Sequence, residues 1–443
     1  MLNGHPALGE PYFFRAIRML LRLGYGHDPD ETSAADTLAA SESNWRRFIF
    51  WQYYYSAKIV QIALSMPPLV DLESARVKPC YKPDFIGALH QSHETATVYY
   101  LGKILDIIHE STLHITNNVP QNIQSLLSSD SKSSSLFTKL RKLQSIIPSR
   151  LILSQENSAQ LLEFTATFIG REFVTDCLFV TMYYNATICI LNRPTLYLTK
   201  FLTHESTHLT TDATAKSKIT TALHESLASA QTIIGLASWL FHQSQMKLDA
   251  EDGKFRSSLW RNHPFESFLL FEAVVVCWFA TTQTRGVWYQ EIEGLNLMTG
   301  EDRKRIRSQV ADVFVTFKDL ENSLGEVARV DKFGLFDGGS TQGGDSNFIT
   351  PMVECIQRMV QEMEQVEVAV ALGLGGAELD EMDLEIESVL IDMKVMSLTD
   401  EVSEPYQRDP WVFLGLLGAQ VKGMKWKAWY EEKWNAFWIS LKG

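Results

Sequence analysis

Apolar residues recur at three- and four-residue spacing along most of the chain, a period that belongs to helices rather than strands. In residues 11–23, Phe13 or Phe14, Ile17, Leu20 or Leu21 and Gly24 share one face, and Arg15, Arg18 and Arg22 share the opposite one. Residues 28–43 are polar and predict a loop. A long apolar-rich helix is predicted over 45–65, with Trp45, Phe48, Ile49, Tyr53, Ile59, Ile62 and Ala63 in its stripe. Met66-Pro67-Pro68 ends it, because proline lacks a backbone donor and biases the residue before it away from helix. A further helix is predicted over 86–109, and the serine-rich stretch 125–135 predicts a mobile loop.

Residues 158–191 predict one long buried helix that stops at Asn192-Arg193-Pro194. Helices follow over 217–241, 264–290 and, charged and amphipathic, 302–324. Residues 334–347, GLFDGGSTQGGDSN, have linker composition. Beyond them 349–370 is helical and glycines at 373–376 break the pattern. No alternating strand segment and no repeat of fixed period occurs. The expected fold is all-α: a large irregular multi-helix domain over 1–330, a Gly-rich linker at 331–348, and a C-terminal helical region at 349–443. That last region carries an acidic segment at 378–404 and a Trp-rich helix at 411–440.

Composition narrows the function classes. The 443 residues contain no run of roughly 18 apolar positions, the length a membrane span needs. The longest candidates, 268–280 and 411–419, are too short or interrupted, so no membrane association is expected. The first residues lack the basic, apolar and small-residue order of a signal peptide. Five cysteines, Cys80, Cys177, Cys189, Cys277 and Cys355, are scattered with no CxxC pair. They read as reduced, mostly buried thiols of an intracellular protein and not as a zinc site. The net charge of −13 argues against a nucleic-acid-binding surface. Ten acidic residues against Lys394 alone concentrate much of it in 378–404.

Two segments carry a resemblance. The first is RAIRMLLRLGYGHD, residues 15–28, followed by WRRFIFWQYYYSAKIVQIALSMP, residues 45–67. The second is FVTMYYNATICILNRP, residues 179–194. Together they resemble the middle homology region of fungal zinc-cluster transcription factors, over roughly residues 12–290. That family shows a helix ending in Leu-Gly-Leu/Tyr-His, an acidic loop, Arg-Arg-x-x-Phe-Trp, an Asp-Arg pair, a Gly-Arg-Pro turn and, later, a helix ending in Arg-Pro. Arg46, Arg47, Phe50, Trp51, Pro67, Arg193 and Pro194 match in kind and spacing. The departures are Ala57-Lys58 in place of Asp-Arg, Ser65-Met66 in place of Gly-Arg, and Asn192 in place of a histidine. With Lys58 retained and its acidic neighbour gone, the family's ion pair is expected to be half lost. The matched residues read as structural: a basic pair at a helix start, aromatics on the buried face, and Arg193 bonding the last carbonyls of its helix.

The resemblance implies a nuclear, non-enzymatic transcription regulator that uses no cofactor. The family's DNA contacts come from a six-cysteine, two-zinc module. Met1 is read as falling inside the middle region, so specific DNA binding is not expected of these residues alone. The implied partners are a coactivator or corepressor and a full zinc-cluster factor, with a small metabolite as ligand. A non-DNA-binding interaction protein built from the same domain is an alternative.

Other constellations compete. His204-Glu205-Ser206-Thr207-His208 spells HExxH, which on a helix binds zinc through both histidines and activates water through the glutamate, with Glu225 as third ligand. Thr203, Thr207, Thr210 and Thr211 are poor helix formers, and the segment reads as a surface loop rather than a peptidase site. Residues 373–376 lack the strand and Gly-Lys-Ser/Thr of a phosphate loop. Arg303, Lys304, Arg305 and Arg307 read as a solvated helix face ahead of a nuclear-import signal. The acidic, aliphatic segment 378–404 has two readings, an activation segment that folds on a coactivator groove or an exposed helix. The stripe of Trp426, Trp429 or Tyr430, Trp434 and Trp438 reads as a helix packed over the core.

Overall fold

A computed structural model describes residues 6–28, 37–63, 66–69, 75–81, 95–128, 131–153, 171–202, 213–246, 265–285, 288, 300–330, 349–371, 416–419, 421 and 430–441. The described residues are mostly helical, as the periodicity predicts, and among them the only strand-like pairs are two isolated bridges, His27 with Arg76 and Tyr81 with Thr95. The chain divides into two compact units, residues 1–118 with 132–187, and residues 119–131 with 188–443.

In the first unit, α1 (Pro6–Arg22), α2 (Thr37–Ala63) and α3 (Thr97–Asn117) pack in sequence. Their core joins Phe14 and Ile17 to Phe50, Trp51, Tyr54, Ala57 and Val60, and takes in Cys80, Ala96 and Val98. Helix α2 starts within the stretch expected to be a loop. Arg46 and Arg47 therefore sit well inside it and not at its start. Helix α3 runs eight residues past the expected end at His109. Ser111, Thr112 and Thr116 turn their hydroxyls onto carbonyls four residues back, which satisfies them inside the helix without exposing it.

The serine-rich stretch is not the loop its composition predicts. Helix α4 (Ile123–Leu127) belongs to the second unit and opens on a capping box between Asn122 and Ser125. Helix α5 (Lys132–Gln144), in the first unit, buries Leu136, Leu140 and Leu143 against α3. Serine favours helix starts through side-chain capping, so serines at the head of an amphipathic pattern signal an N-terminus as readily as a loop.

Helix α6 (Arg171–Phe201) contributes its first part, to Thr187, to the first unit and the remainder to the second. It passes through Pro194, where a stop is predicted. Proline removes one intrahelical bond, a cost of about 3 kcal/mol. Leu196, Tyr197, Leu198 and Leu202 are buried beyond it, and that burial holds the chain in the helical path.

The second unit adds α7 (Ala213–Met246), α8 (Phe265–Trp278), α9 (Gly300–Val330), α10 (Ile349–Ala371) and α11 (Glu431–Ser440). Helices α7, α8, α9 and α10 pack on one another. Helix α8 gives way to a π turn over Phe279–Gln283, short of the expected end at 290. Thr281 and Thr282 bond back to Cys277 and Trp278 carbonyls, and Arg285 bonds the Lys200 carbonyl through Nε at 2.8 Å. These side-chain bonds draw the backbone out of the α ladder. The linker expected at 331–348 and the acidic segment 378–404 lie outside the described residues. Helices α9 and α10, on either side of that linker, pack directly against each other. All five cysteines are free and buried. Among the described residues no helix is long and apolar enough to cross a membrane.

Candidate functional site

The matched residues of the first unit bond to one another's segments. The turn after α1 passes through Gly24, whose φ of 80° is open to glycine and costly for other residues. Arg46 lies over the Tyr25 ring with its guanidinium carbon 5.1 Å from the ring centre. Arg47 forks onto Asp28, Nε to Oδ1 at 2.7 Å and Nη2 to Oδ2 at 2.8 Å. The Lys78 amide also donates to Asp28, at 3.2 Å. Burial raises the Asp28 pKa, but the bonds from Arg47 and Lys78 outweigh it and hold the carboxyl below its ordinary value. Phe50 and Trp51 are buried, and the Trp51 indole donates to the Lys78 carbonyl at 3.0 Å.

The neighbouring acid of the expected ion pair is absent at Ala57, and Lys58 meets a different carboxylate. Lys58 sits 3.1 Å from Asp106, a carboxylate supplied by α3 and not by the neighbouring position of α2. Tyr54 also donates to Asp106. Pro67 is exposed. The residue before it, Met66, closes the turn by donating its amide to the Gln61 carbonyl at 2.8 Å, and its own carbonyl lies 2.7 Å from His109 Nε2.

Arg193 does not bond the last carbonyls of its helix. It is turned into the core of the second unit, where it faces Glu272 of α8, both at 0% exposure. Nη1 donates to Oε1 at 3.2 Å and stands 2.9 Å from Oε2 without hydrogen-bond alignment. Nε and Nη2 make no well-aligned hydrogen bond, and the Tyr197 hydroxyl one turn along has only the guanidinium beside it. An unpaired buried donor costs about 1–3 kcal/mol, more when charged, so this cluster stores considerable strain. Burial pulls the arginine's pKa down, but Glu272, with Tyr197, Tyr430 and Glu431, reverses this and raises it. Arg193 is therefore a permanent cation. Burial pushes Glu272 up to about 7 against the pull of Arg193. The Tyr197 hydroxyl is raised by burial and lowered in part by the same cation.

The C-terminal helix closes on this centre. Glu431 accepts backbone donors from Leu416 at 2.7 Å and Leu417 at 2.8 Å, and a third from Gly418. Leu417 and Gly418 have φ of 49° and 80°, the left-handed geometry that aims successive amides at one anion. A Cβ on Gly418 would meet the Asn435 backbone nitrogen at 3.0 Å, so only glycine fits. Trp434 and Trp438 are buried, as the stripe predicts, and Trp438 stacks on Phe201 at 5.1 Å, but the helix expected over 411–440 begins only at Glu431, and residues 416–419 form a turn. Tyr197 stacks on Phe279 at 4.1 Å. The Trp278 indole donates to buried Glu362 at 2.7 Å.

His204, Glu205 and His208 lie outside the described residues. Glu225, the third ligand of that reading, accepts from Asn192 at 3.4 Å. Among the described residues no three potential metal ligands come together.

Sequence reasoning does not reach Asp106, Glu272, Tyr197 or Glu431. One signal points to Glu272: it is the sole charge between Ser267 and Ala280, in an otherwise apolar run. Comparison of the chain with family models, curated proteins and solved structures finds no match in any of the three.

Proposed function

We propose that the chain is a transcription regulator of the fungal zinc-cluster type. It acts in the nucleus without catalysis, through a helical regulatory region and through partners. The observation that carries the reading is the Arg47–Asp28 fork. The first segment of the resemblance consists of two stretches separated in sequence, 15–28 and 45–67, and this fork joins a residue of one stretch to a residue of the other. Such pairing is expected of a motif that is a structural assembly and is not required of a chance match of letters. Charge supports action through partners. Residues of the first unit include 16 basic and 16 acidic side chains, while those of the second include 24 and 37, so the whole net charge of −13 belongs to the second. A surface so acidic repels a phosphate backbone. The acidic segment 378–404 is the contact for a coactivator, its carboxylates keeping its aliphatic residues in solution until a partner buries them.

The experiment is a reporter assay with the chain fused to a foreign DNA-binding module. The fusion is expected to change output several-fold relative to the module alone, and deletion of 378–404 to reverse that change. Co-purification with a full zinc-cluster factor is expected as well. Output equal to that of the module alone overturns the reading.

A further inference from the structure

We propose that the outer face of α1 is a docking surface for an acidic amphipathic helix of a partner protein, one with carboxylates and aliphatic residues on the same face. Arg15, Arg18, Met19, Arg22 and Leu23 recur at three- and four-residue spacing, and all five are exposed. They form one stripe about 12 Å long, roughly two helical turns. The inward face of α1 is already taken up, with Phe14 and Ile17 buried in the core of the first unit.

Two features separate this stripe from an ordinary solvated face. The first is uncompensated charge. Residues 11–27 contain no aspartate or glutamate, and the arginines neighbour one another at i,i+3 and i,i+4, where like charges repel. Among the described residues none of the three has an ion pair or hydrogen bond to offset this. Arg46 of α2 adds a fourth cation at the end of the stripe, where it donates to the Leu23 carbonyl at 3.5 Å. The second feature is apolar. Leu23 is 68% exposed and Met19 58%, one turn apart and on the same stripe as the arginines.

These features together set the class of partner. Carboxylates would relieve the repulsion, and aliphatic residues beside them would cover Met19 and Leu23. A nucleic acid would satisfy the arginines but leave both apolar side chains against phosphate, and its dense charge is repelled by a chain of net charge −13. A membrane-surface helix buries an apolar face of its own, and in α1 that face is committed to the core. The inference rests on α1 and holds whether or not the chain regulates transcription.

The test uses the purified full chain and fluorescence anisotropy. The probe is a labelled alanine-based helical peptide with glutamates and leucines alternating down one face. Saturable binding is expected with a Kd below about 100 µM, the weak range suited to so short a contact. A peptide with glutamine for glutamate should bind at least tenfold more weakly. Arg18→Glu with Arg22→Glu should weaken the acidic peptide at least tenfold. Arg141→Glu with Arg150→Glu, exposed positions elsewhere that change the net charge equally, should leave it unaltered. Met19→Ser keeps every charge and should weaken binding several-fold. All of these positions are exposed, so the fold is retained, as circular dichroism will check. The proposal is overturned if the acidic peptide does not saturate the chain, if the glutamine peptide binds as tightly, or if either stripe variant binds as the parent does. It is also overturned if phosphatidylserine vesicles or a DNA duplex bind more tightly than the peptide and lose that binding with Arg18→Glu and Arg22→Glu. Binding is read without a reporter, so a failure here is separate from a failure of the regulatory reading.

Discussion

Lys58 of α2 and Asp106 of α3 form an ion pair, Nζ to Oδ1 at 3.1 Å, in which the lysine is 2% exposed and the aspartate 20%. The lysine has little access to water, and this carboxylate stands beside its ammonium group. Asp106 is also held by Tyr54 and approached by Lys103 at 3.5 Å, which fixes its position. Removing one partner of such a pair leaves an uncompensated charge, at a cost of about 3 kcal/mol. Asp106→Ala is expected to lose that much in urea denaturation, and a loss under about 1 kcal/mol sinks the argument.

Arg193 and Glu272 make a sharper case, because neither reaches water. Arg193→Met alone and Glu272→Leu alone are each expected to cost about 3–5 kcal/mol, because each leaves one buried polar partner behind. The double substitution should lie close to the parent protein or above it in stability, since it also removes the unpaired fork. Urea denaturation of all four proteins closes the cycle. Additive losses in the double variant would falsify the coupling.

Acid should act on the first unit through Asp28. Its carboxyl is held below the ordinary 3.8, so its contribution is present above that value and disappears as pH falls through the lower folded one. Trp fluorescence in urea at pH 6 and pH 3 should show this loss, and Asp28→Asn should lack that part of it. Arg47→Lys, which keeps the charge and loses the fork, is expected to cost about 1 kcal/mol at pH 7.

Glu431 carries the opposite sign. Burial raises its pKa from 4.5 to about 7, and the amides of Gly418, Leu416 and Leu417, with Arg193, pull it partly back. A raised carboxyl contributes stability that is complete below pH 4.5 and is lost as pH rises through about 7. Unfolding at pH 5.5 and pH 8 should differ by on the order of 2 kcal/mol from this source. Glu431→Gln keeps an oxygen for the amides and should flatten that slope. A variant whose slope matches the parent's would remove Glu431 from the account.

Pro194 tests what keeps α6 continuous. If burial of the residues beyond it holds the helix against the missing bond, Pro194→Ala should retain the helix and gain about 1–3 kcal/mol. Loss of stability would show that the ring, not the burial, positions Arg193.

The helices were legible because their signals are local. An apolar stripe such as Leu136, Leu140 and Leu143 sets a period and a buried face wherever its helix packs. The Arg-Arg-x-x-Phe-Trp pattern likewise placed Phe50 and Trp51 inward. Errors clustered where a local signal met a distant one. Pro194 reads as a stop, yet buried residues beyond it carry the helix on. Ser125–Ser135 reads as a loop, yet its serines head two helices.

The amino-acid sequence by itself determined that the chain is helical, which faces of its helices turn inward, and where its charge is concentrated. Only the tertiary structure decided which charges meet. Lys58 finds its partner 48 positions away and Arg193 finds its own 79 positions away. Helix period is written in neighbours three and four residues apart, whereas the partner of a buried charge is fixed by which helices pack and in what register. The same packing set Tyr197 against the Arg193 guanidinium one turn along α6.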